Sequence, residues 1–180
     1  MSNIKYTNKK LFVEKLSVTN IAKKNHTPFY LYSAKQLEEN YLKFTNNFKN
    51  VKPLICYSAK ANTNLSILKI LGKLGSGADV VSGGELLKAI KAGIKPHKIV
   101  FSGVGKTEEE LRLAINKKIL LINIESESEA KLINKIEKKI KKKVSVGFRI
   151  NPNIDAQTHK KISTGKAENK FGLSIKNFSL

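Results

Sequence analysis

The residues best suited to chemistry in this sequence are polar side chains that directly follow short apolar runs. The clearest is Lys60, which comes just after the run that ends at Tyr57 and is followed by small residues and Asn62. A lysine held against a desolvating strand end can have its pKa lowered and then act as a nucleophile toward carbonyl compounds. The competing interpretation is an ordinary surface lysine, because all but two of the 34 basic residues are lysines.

The elements that must position these side chains repeat along the chain. Short runs of β-branched and aromatic residues are apolar almost continuously, which is typical of parallel strands covered on both faces. Stretches with a 3.6-residue apolar period separate these runs and predict helices. The predicted strands lie near residues 54–58, 78–82, 98–102, 119–124 and 144–150.

This alternation predicts an α/β fold with a parallel sheet, either a barrel or a doubly wound sheet. A complete (β/α)8 barrel needs about 250 residues. Five βα units within 180 residues therefore indicate an incomplete barrel. Active sites of such barrels lie at the C-terminal ends of the strands. The segments at those ends gather polar groups on one rim, and they are residues 57–62, 79–85, 102–106, 123–125 and 148–152.

Local signals predict where several helices begin and end. Thr107 with Glu110, and Ser126 with Glu129, have the spacing of a capping box, in which two side chains satisfy two orphan backbone N–H groups. Gly75 follows an apolar stripe and predicts a helix terminus there.

The formal net charge of +20 raises the question of a nucleic-acid partner. Only Arg112 and Arg149 are arginines, whereas recognition of phosphates and bases favours the guanidinium group. The densest basic patch, residues 135–143, carries isoleucines at helical spacing and is typical of the solvated face of an amphipathic helix. We therefore expect no specific nucleic-acid partner.

Composition excludes several other classes. A hydrophobic content of 41% is enough for a core, which argues against general disorder. The single cysteine, Cys56, excludes a disulfide framework within the chain and fits a reducing compartment. No apolar run is long enough to span a membrane, and the N-terminus lacks the apolar core of a signal peptide. We expect a cytoplasmic protein with no membrane partner and no metal site.

One motif resembles a known family. Tyr57-Ser58-Ala59-Lys60-Ala61-Asn62 is similar to the Y-x-x-K-A-N motif of the fold-type III pyridoxal-phosphate enzymes, which include alanine racemase and basic amino-acid decarboxylases. The specific match is to the diaminopimelate decarboxylases. Further stretches agree with that family in the same order, namely residues 27–32, 77–85, 148–152, 155–165 and 169–172.

The resemblance implies roles for individual residues. Lys60 would bind pyridoxal phosphate covalently and then exchange it for the amine of the substrate. Arg149 matches an arginine near the cofactor ring, with an ordinary loop ion pair as the alternative. Asp79 and Glu85 match acidic positions at the cofactor end that hold or polarise Lys60, although Glu85 also suits the first turn of a helix.

Four further residues receive lesser roles from the resemblance. His159 would order its loop, Lys170 would meet a partner subunit, and Cys56 would be inert core. Val104 stands where the family's G-N-x-K turn more often has Asn, so no polar role is expected there.

The resemblance also implies a larger enzyme. The expected fold is a partial (β/α)8 TIM-like barrel of the alanine racemase-like type over residues 28–180, with the C-terminal β-domain missing and an N-terminal segment, residues 1–27, that would join that domain. The implied reaction is the pyridoxal-phosphate-dependent decarboxylation of meso-2,6-diaminopimelate to L-lysine by a homodimer. The alternatives are another basic amino-acid or carboxylated-polyamine decarboxylase, or a noncatalytic pyridoxal-phosphate-binding barrel. The 180-residue chain alone is expected to be inactive.

Overall fold

The structure is a computed structural model that describes residues 3–48, 50–51, 53–154 and 172–174. The expectations for residues 155–165, His159, residues 169–171 and Lys170 lie outside the described residues. The strands are β1 (Ile4–Thr7), β2 (Lys10–Val13), β3 (Leu16–Ser17), β4 (Cys56–Ser58), β5 (Gly77–Val80), β6 (Ile99–Phe101), β7 (Leu121–Ile124), β8 (Val146–Phe148), β9 (Ile150–Asn151) and β10 (Leu173–Ser174). The α-helices are α1 (Val18–Lys24), α2 (Ala34–Asn46), α3 (Leu65–Lys73), α4 (Gly83–Lys91), α5 (Glu108–Lys117) and α6 (Glu127–Ile140).

The central feature is a five-stranded sheet in the order β4-β5-β6-β7-β8. Every neighbouring pair is parallel, as predicted from the continuously apolar runs. Sequential order is the order of a (β/α)8 barrel, whereas a doubly wound sheet reverses its order at a switch point. The topology therefore favours the barrel over the doubly wound alternative.

Helices α3 to α6 form the crossovers, and their ends follow the local signals. The box at Thr107 and Glu110 is complete, with both side chains accepting the expected backbone N–H groups. Ser126 accepts the N–H of Glu129 as predicted, but the Glu129 carboxylate binds the N–H of Glu125 instead of completing a box. Gly75 has a φ of +96° just beyond α3, which confirms the predicted terminus.

The core lies between the sheet and these helices. The largest fully buried side chains come from both layers and include Phe101, Ile122, Leu86, Leu111 and Ile136. In α6 the isoleucines point inward, while the lysines of residues 135–143 are exposed. This confirms the solvated-face interpretation of that basic patch.

The predicted strand at residues 144–150 is divided at Arg149. The N–H of Arg149 donates to the carbonyl of Ile124 in β7, but its own carbonyl accepts the N–H of Leu173. The chain thus leaves the five-stranded sheet at this residue, and β9 pairs in parallel with β10 instead.

The N-terminal residues form a separate antiparallel sheet of β1, β2 and β3, followed by α1. The division of the chain at residue 27 stays a prediction. Within the described ranges, no helix combines the length and the apolar character needed to cross a bilayer.

Candidate active site

An open cavity of about 630 Å³ lies at the C-terminal ends of the parallel strands. Its lining residues are Lys60, Asp79, Val81, Ser102, Gly103, Val104, Asn123, Glu125 and Arg149. Consecutive parallel strands all end at the same edge of a sheet, so residues far apart in the chain meet here. The three residues predicted for catalysis and cofactor binding, Lys60, Asp79 and Arg149, are brought together on this one wall.

Lys60 is held by a tight turn. It lies in a 3₁₀ turn, residues 59–61, directly after β4, and this turn is closed by the N–H of Asn62 donating to the carbonyl of Ala59 over 3.0 Å. Ala59 is fully buried and fixes the backbone, while the Lys60 side chain is exposed. The expected partial desolvation of Lys60 is not seen, because β4 has a neighbour only in β5 among the described strands.

Asp79 is the centre of a polar layer across four strand ends. Its carboxylate accepts Oγ–H of Ser58 at 3.3 Å and Oγ–H of Ser102 at 2.5 Å. Asn123 continues the layer by donating Nδ2–H to Ser102 at 3.0 Å. Gly147 on the next strand leaves room for this side chain, because a Cβ there would lie 2.9 Å from Oδ1 of Asn123. The Asp79 carboxylate is therefore held by the hydroxyls of Ser58 and Ser102.

Arg149 forms an ion pair with Glu125, which sequence reasoning placed on the rim without giving it a role. Nη1 of Arg149 donates to the two oxygens of Glu125 at 3.0 and 3.4 Å. The same carboxylate accepts the N–H of Gly172 at 3.1 Å. The Glu125 side chain is only 3% exposed, whereas that of Arg149 is 38% exposed. Arg149 makes an ion pair and also lines the cavity, while its place near the cofactor ring stays a prediction.

Glu85 lies outside the cavity lining. Its carboxylate accepts the N–H of Val81 at 2.9 Å, and its own N–H donates to Ser82, so it stabilises the first turn of α4. This supports the helix-acid interpretation over a direct role at the cofactor end.

The structure also contains a buried cation that the sequence did not reveal. Nζ of Lys106 donates to the carbonyls of Gly103 and Asn123 and to Oε1 of Glu129, at 2.7, 2.7 and 2.6 Å. Two sequence signals could have singled it out. It is the lysine of residues 103–106, which resemble the family's G-N-x-K turn, and it stands one residue before the cap at Thr107.

Two groups beside Lys60 have altered acidity. Burial raises the pKa of the Cys56 thiol, and the negative charge of Asp79 raises it further. Burial likewise raises the pKa of Tyr57. Both groups are therefore neutral at physiological pH. Cys56 is half-buried and does not belong to the buried core, so its expected core position is wrong, although the raised pKa fits an inert thiol.

The fold and the cavity define a class of protein, a barrel-type α/β domain with a strand-end lysine that can condense with a carbonyl compound. The family described as pyridoxal-dependent decarboxylase, pyridoxal binding domain, matches residues 34–180, and the chain belongs to this family. The predicted cofactor class is confirmed by this membership.

Individual relatives have more specific functions than the family description gives. The diaminopimelate decarboxylase of Helicobacter pylori strain J99 is 54% identical over 150 residues, which are 83% of this chain and 37% of that protein. The crystal structure of diaminopimelate decarboxylase from Helicobacter pylori complexed with L-lysine has a TM-score of 0.85 at 50% identity, covering 88% of this chain and 40% of that one. The arginine decarboxylase of Paramecium bursaria Chlorella virus has a TM-score of 0.73 at 25% identity, covering 89% of this chain and 41% of that one.

These comparisons confirm the predicted fold class, a partial barrel of the alanine racemase-like type. The chain spans about two fifths of the length of the relatives it matches.

The cavity fits pyridoxal phosphate in size and chemistry. Its volume of about 630 Å³ lies within the range of about 300–1,000 Å³ usual for sites of small ligands. Lys60 is the one lysine among the described residues of the lining, and its amine can condense with the aldehyde of the cofactor. Asp79 and Arg149 add an acidic and a basic side chain to the same lining. Among the described residues no group of His, Cys, Asp and Glu could hold a metal ion.

Proposed function

We propose that the protein containing this chain decarboxylates meso-2,6-diaminopimelate to L-lysine and CO2, with pyridoxal phosphate bound at Lys60. The observation that carries this proposal is the position of Lys60, in its Y-x-x-K-A-N motif, on the wall of the strand-end cavity that also contains Asp79 and Arg149. The proposed site residues are Lys60 for catalysis and cofactor attachment, with Asp79 and Arg149 as further cofactor-binding residues.

Each of these residues has a task that follows from its setting. Bound pyridoxal phosphate supplies the electron sink that stabilises the carbanion left when CO2 departs. Lys60 stands on a hydrogen-bonded turn at the rim, where its exposed amine is accessible for covalent attachment and for exchange with the substrate amine. Asp79 lines the same cavity as that amine, and its two serine partners fix the direction of its carboxylate. Arg149, held by Glu125, lines the same cavity.

The choice of substrate rests on the relatives. Both the 54% identical relative and the structural neighbour with L-lysine bound are diaminopimelate decarboxylases, and L-lysine is the product that the proposed reaction forms. The arginine decarboxylase is only 25% identical, so arginine is the weaker candidate. Within this reading the protein acts in lysine biosynthesis in the cytoplasm, as a homodimer whose C-terminal β-domain completes the site.

The test uses the full-length protein loaded with pyridoxal phosphate. Borohydride reduction followed by peptide mapping should place the cofactor on the peptide that contains Lys60. Lys60→Ala should abolish release of CO2 from diaminopimelate and retain the fold, because one exposed side chain contributes little packing. Lys69→Ala, which changes an exposed lysine on α3, is the matched control and should keep full activity.

Three results would contradict the proposal in different ways. A label on Lys106 or Lys170, together with an active Lys60→Ala variant, would overturn both the site and the function. Cofactor on Lys60 without decarboxylation of any amino acid would favour the noncatalytic barrel. Faster turnover of arginine or ornithine than of diaminopimelate would reassign the substrate.

A further inference from the structure

The Lys106 side chain is the starting point, because a buried ammonium group at the edge of an active-site cavity needs a reason. This side chain is 1% exposed, and its three hydrogen bonds tie together the segment after β6, the end of β7 and helix α6. The ring of Phe101 lies 5.7 Å from Nζ and adds a cation–π contact. Burial of an ion costs free energy unless its partners compensate fully, and here each N–H has an acceptor.

Glu129 connects the Lys106 ammonium group to the backbone between β7 and α6. One carboxylate oxygen accepts Nζ of Lys106 at 2.6 Å, and the other accepts the N–H of Glu125 at 2.8 Å. Since both oxygens are engaged, the carboxylate holds the backbone between β7 and α6 in one arrangement. That backbone carries the Glu125 side chain into the cavity.

Glu125 in turn holds two groups from later in the chain. Its carboxylate binds Nη1 of Arg149, where the chain leaves the five-stranded sheet, and the N–H of Gly172, just before β10. Gly172 is required at that point, because its φ is +79° and a Cβ would approach the carbonyl oxygen of Arg149 to 2.8 Å. A shift of Glu125 would therefore move Arg149 relative to Lys60.

From this chain of contacts we infer that Lys106 is a positioning residue for the cofactor site: through Glu129 and the backbone of Glu125, it sets the place of Arg149 on the cavity wall. The inference rests on the proposed function in one respect, that Arg149 binds pyridoxal phosphate. Lys106 itself does not line the main cavity and does not touch the cofactor site directly.

The experiment measures the affinity of the full-length apoprotein for pyridoxal phosphate, followed by the visible absorbance of the bound cofactor. Lys106→Met should weaken binding about tenfold, the loss typical when partners that orient a ligand-binding group are removed. Lys98, just before β6, is half-buried and donates from Nζ to the backbone carbonyl of Gly75, so Lys98→Met is the matched control. It should lower the denaturation midpoint yet leave the affinity for the cofactor within about twofold of wild type, because it lies before a strand and away from the cavity.

A second comparison identifies the route. In otherwise wild-type protein, Lys106→Met is expected to weaken cofactor binding about tenfold. In a protein that already carries Glu125→Gln, the same substitution should weaken binding much less, because the two substitutions act on one chain of contacts. If Lys106→Met does not fold, Glu129→Gln, which keeps the size of the side chain, takes its place with the same expectation.

The outcomes separate the two proposals. Wild-type protein that fails to bind pyridoxal phosphate would overturn the proposed function together with this inference. Wild-type binding with equal affinity in Lys106→Met, or a full additive loss in the Glu125→Gln background, would overturn the positioning role alone.

Discussion

Ser102 donates a hydrogen bond of 2.5 Å from Oγ to Oδ1 of Asp79, across the ends of neighbouring strands. The same oxygen of Ser102 accepts Nδ2–H of Asn123 from the next strand. One hydroxyl thus joins the carboxylate beside Lys60 to the far side of the cavity. The orientation of the Asp79 carboxylate therefore depends on neighbouring strands of the sheet as well as on its own strand.

The first prediction concerns this hydroxyl. Ser102→Ala should lower the free energy of unfolding by about 1 kcal/mol, the usual value of a partly buried hydrogen bond. It should also weaken binding of pyridoxal phosphate, because Asp79 then keeps only Ser58 as a serine partner. Urea denaturation and cofactor titration measure the two effects. Ser66→Ala, at an exposed position on α3, is the control, and an equal loss in both variants would contradict the prediction.

The second prediction concerns close packing at the start of β5. A Cβ at Gly77 would clash with the backbone carbonyl of Lys98 and lie 2.7 Å from Sγ of Cys56. Gly77→Ala should therefore destabilise the fold by about 3 kcal/mol or more, at the upper end of overpacking effects, since a backbone group must move. Gly84→Ala in α4 meets nothing closer than 3.8 Å and should be neutral or stabilise by up to about 1 kcal/mol. Denaturant titration of both variants decides the matter, and similar midpoints would contradict the clash.

The third prediction concerns acid stability. Backbone hydrogen bonds from Gly83 and Thr107 hold the pKa of Glu110 below its ordinary value of 4.5. A carboxylate with a lowered folded-state pKa stabilises the fold above its unfolded-state value, and the contribution is lost as pH falls through the lower folded-state value. Wild type should therefore lose this stability below about pH 4.5.

Glu110→Gln should remove that part of the pH dependence and cost about 1 kcal/mol at neutral pH, the usual cost of a lost helix cap. Thermal unfolding between pH 3 and pH 7 gives both quantities. Glu109→Gln changes an exposed carboxylate in the same helix turn and should keep the wild-type profile. A Glu110→Gln profile parallel to that of wild type over the whole range would show the prediction to be wrong.

The fourth prediction concerns the thiol of Cys56. Because burial raises its pKa above the ordinary 9.0, the thiolate should be scarce at neutral pH. Alkylation by iodoacetamide should be slow in the folded protein at pH 7.5 and should rise steeply only above pH 9. The same reagent on urea-unfolded protein supplies the reference rate. Equal rates in the folded and unfolded forms at pH 7.5 would contradict this setting for Cys56.

The sequence alone predicted the local structure well. Continuous apolar runs identified the five strands of the central sheet, because burial on both faces leaves that pattern in the residues themselves. The cap at Thr107 and the terminus at Gly75 were also readable, since the signal for each lies within a few residues of the helix end. The sequence also predicted that Lys60 lies at a strand end, because this lysine directly follows an apolar run.

The tertiary structure decided which charges are buried and which groups meet. Glu125 and Gly172 are separated by 47 positions, and their hydrogen bond exists only because parallel strands end at a common edge. Lys106 is similar in sequence to many exposed lysines, yet it is buried because Glu129 and two strand-end carbonyls surround it. At this edge the chain also leaves the five-stranded sheet, at Arg149, and pairs with β10 instead. Residue type and spacing record local conformation, whereas the cost of burying a charge depends on partners that only the folded chain brings within reach.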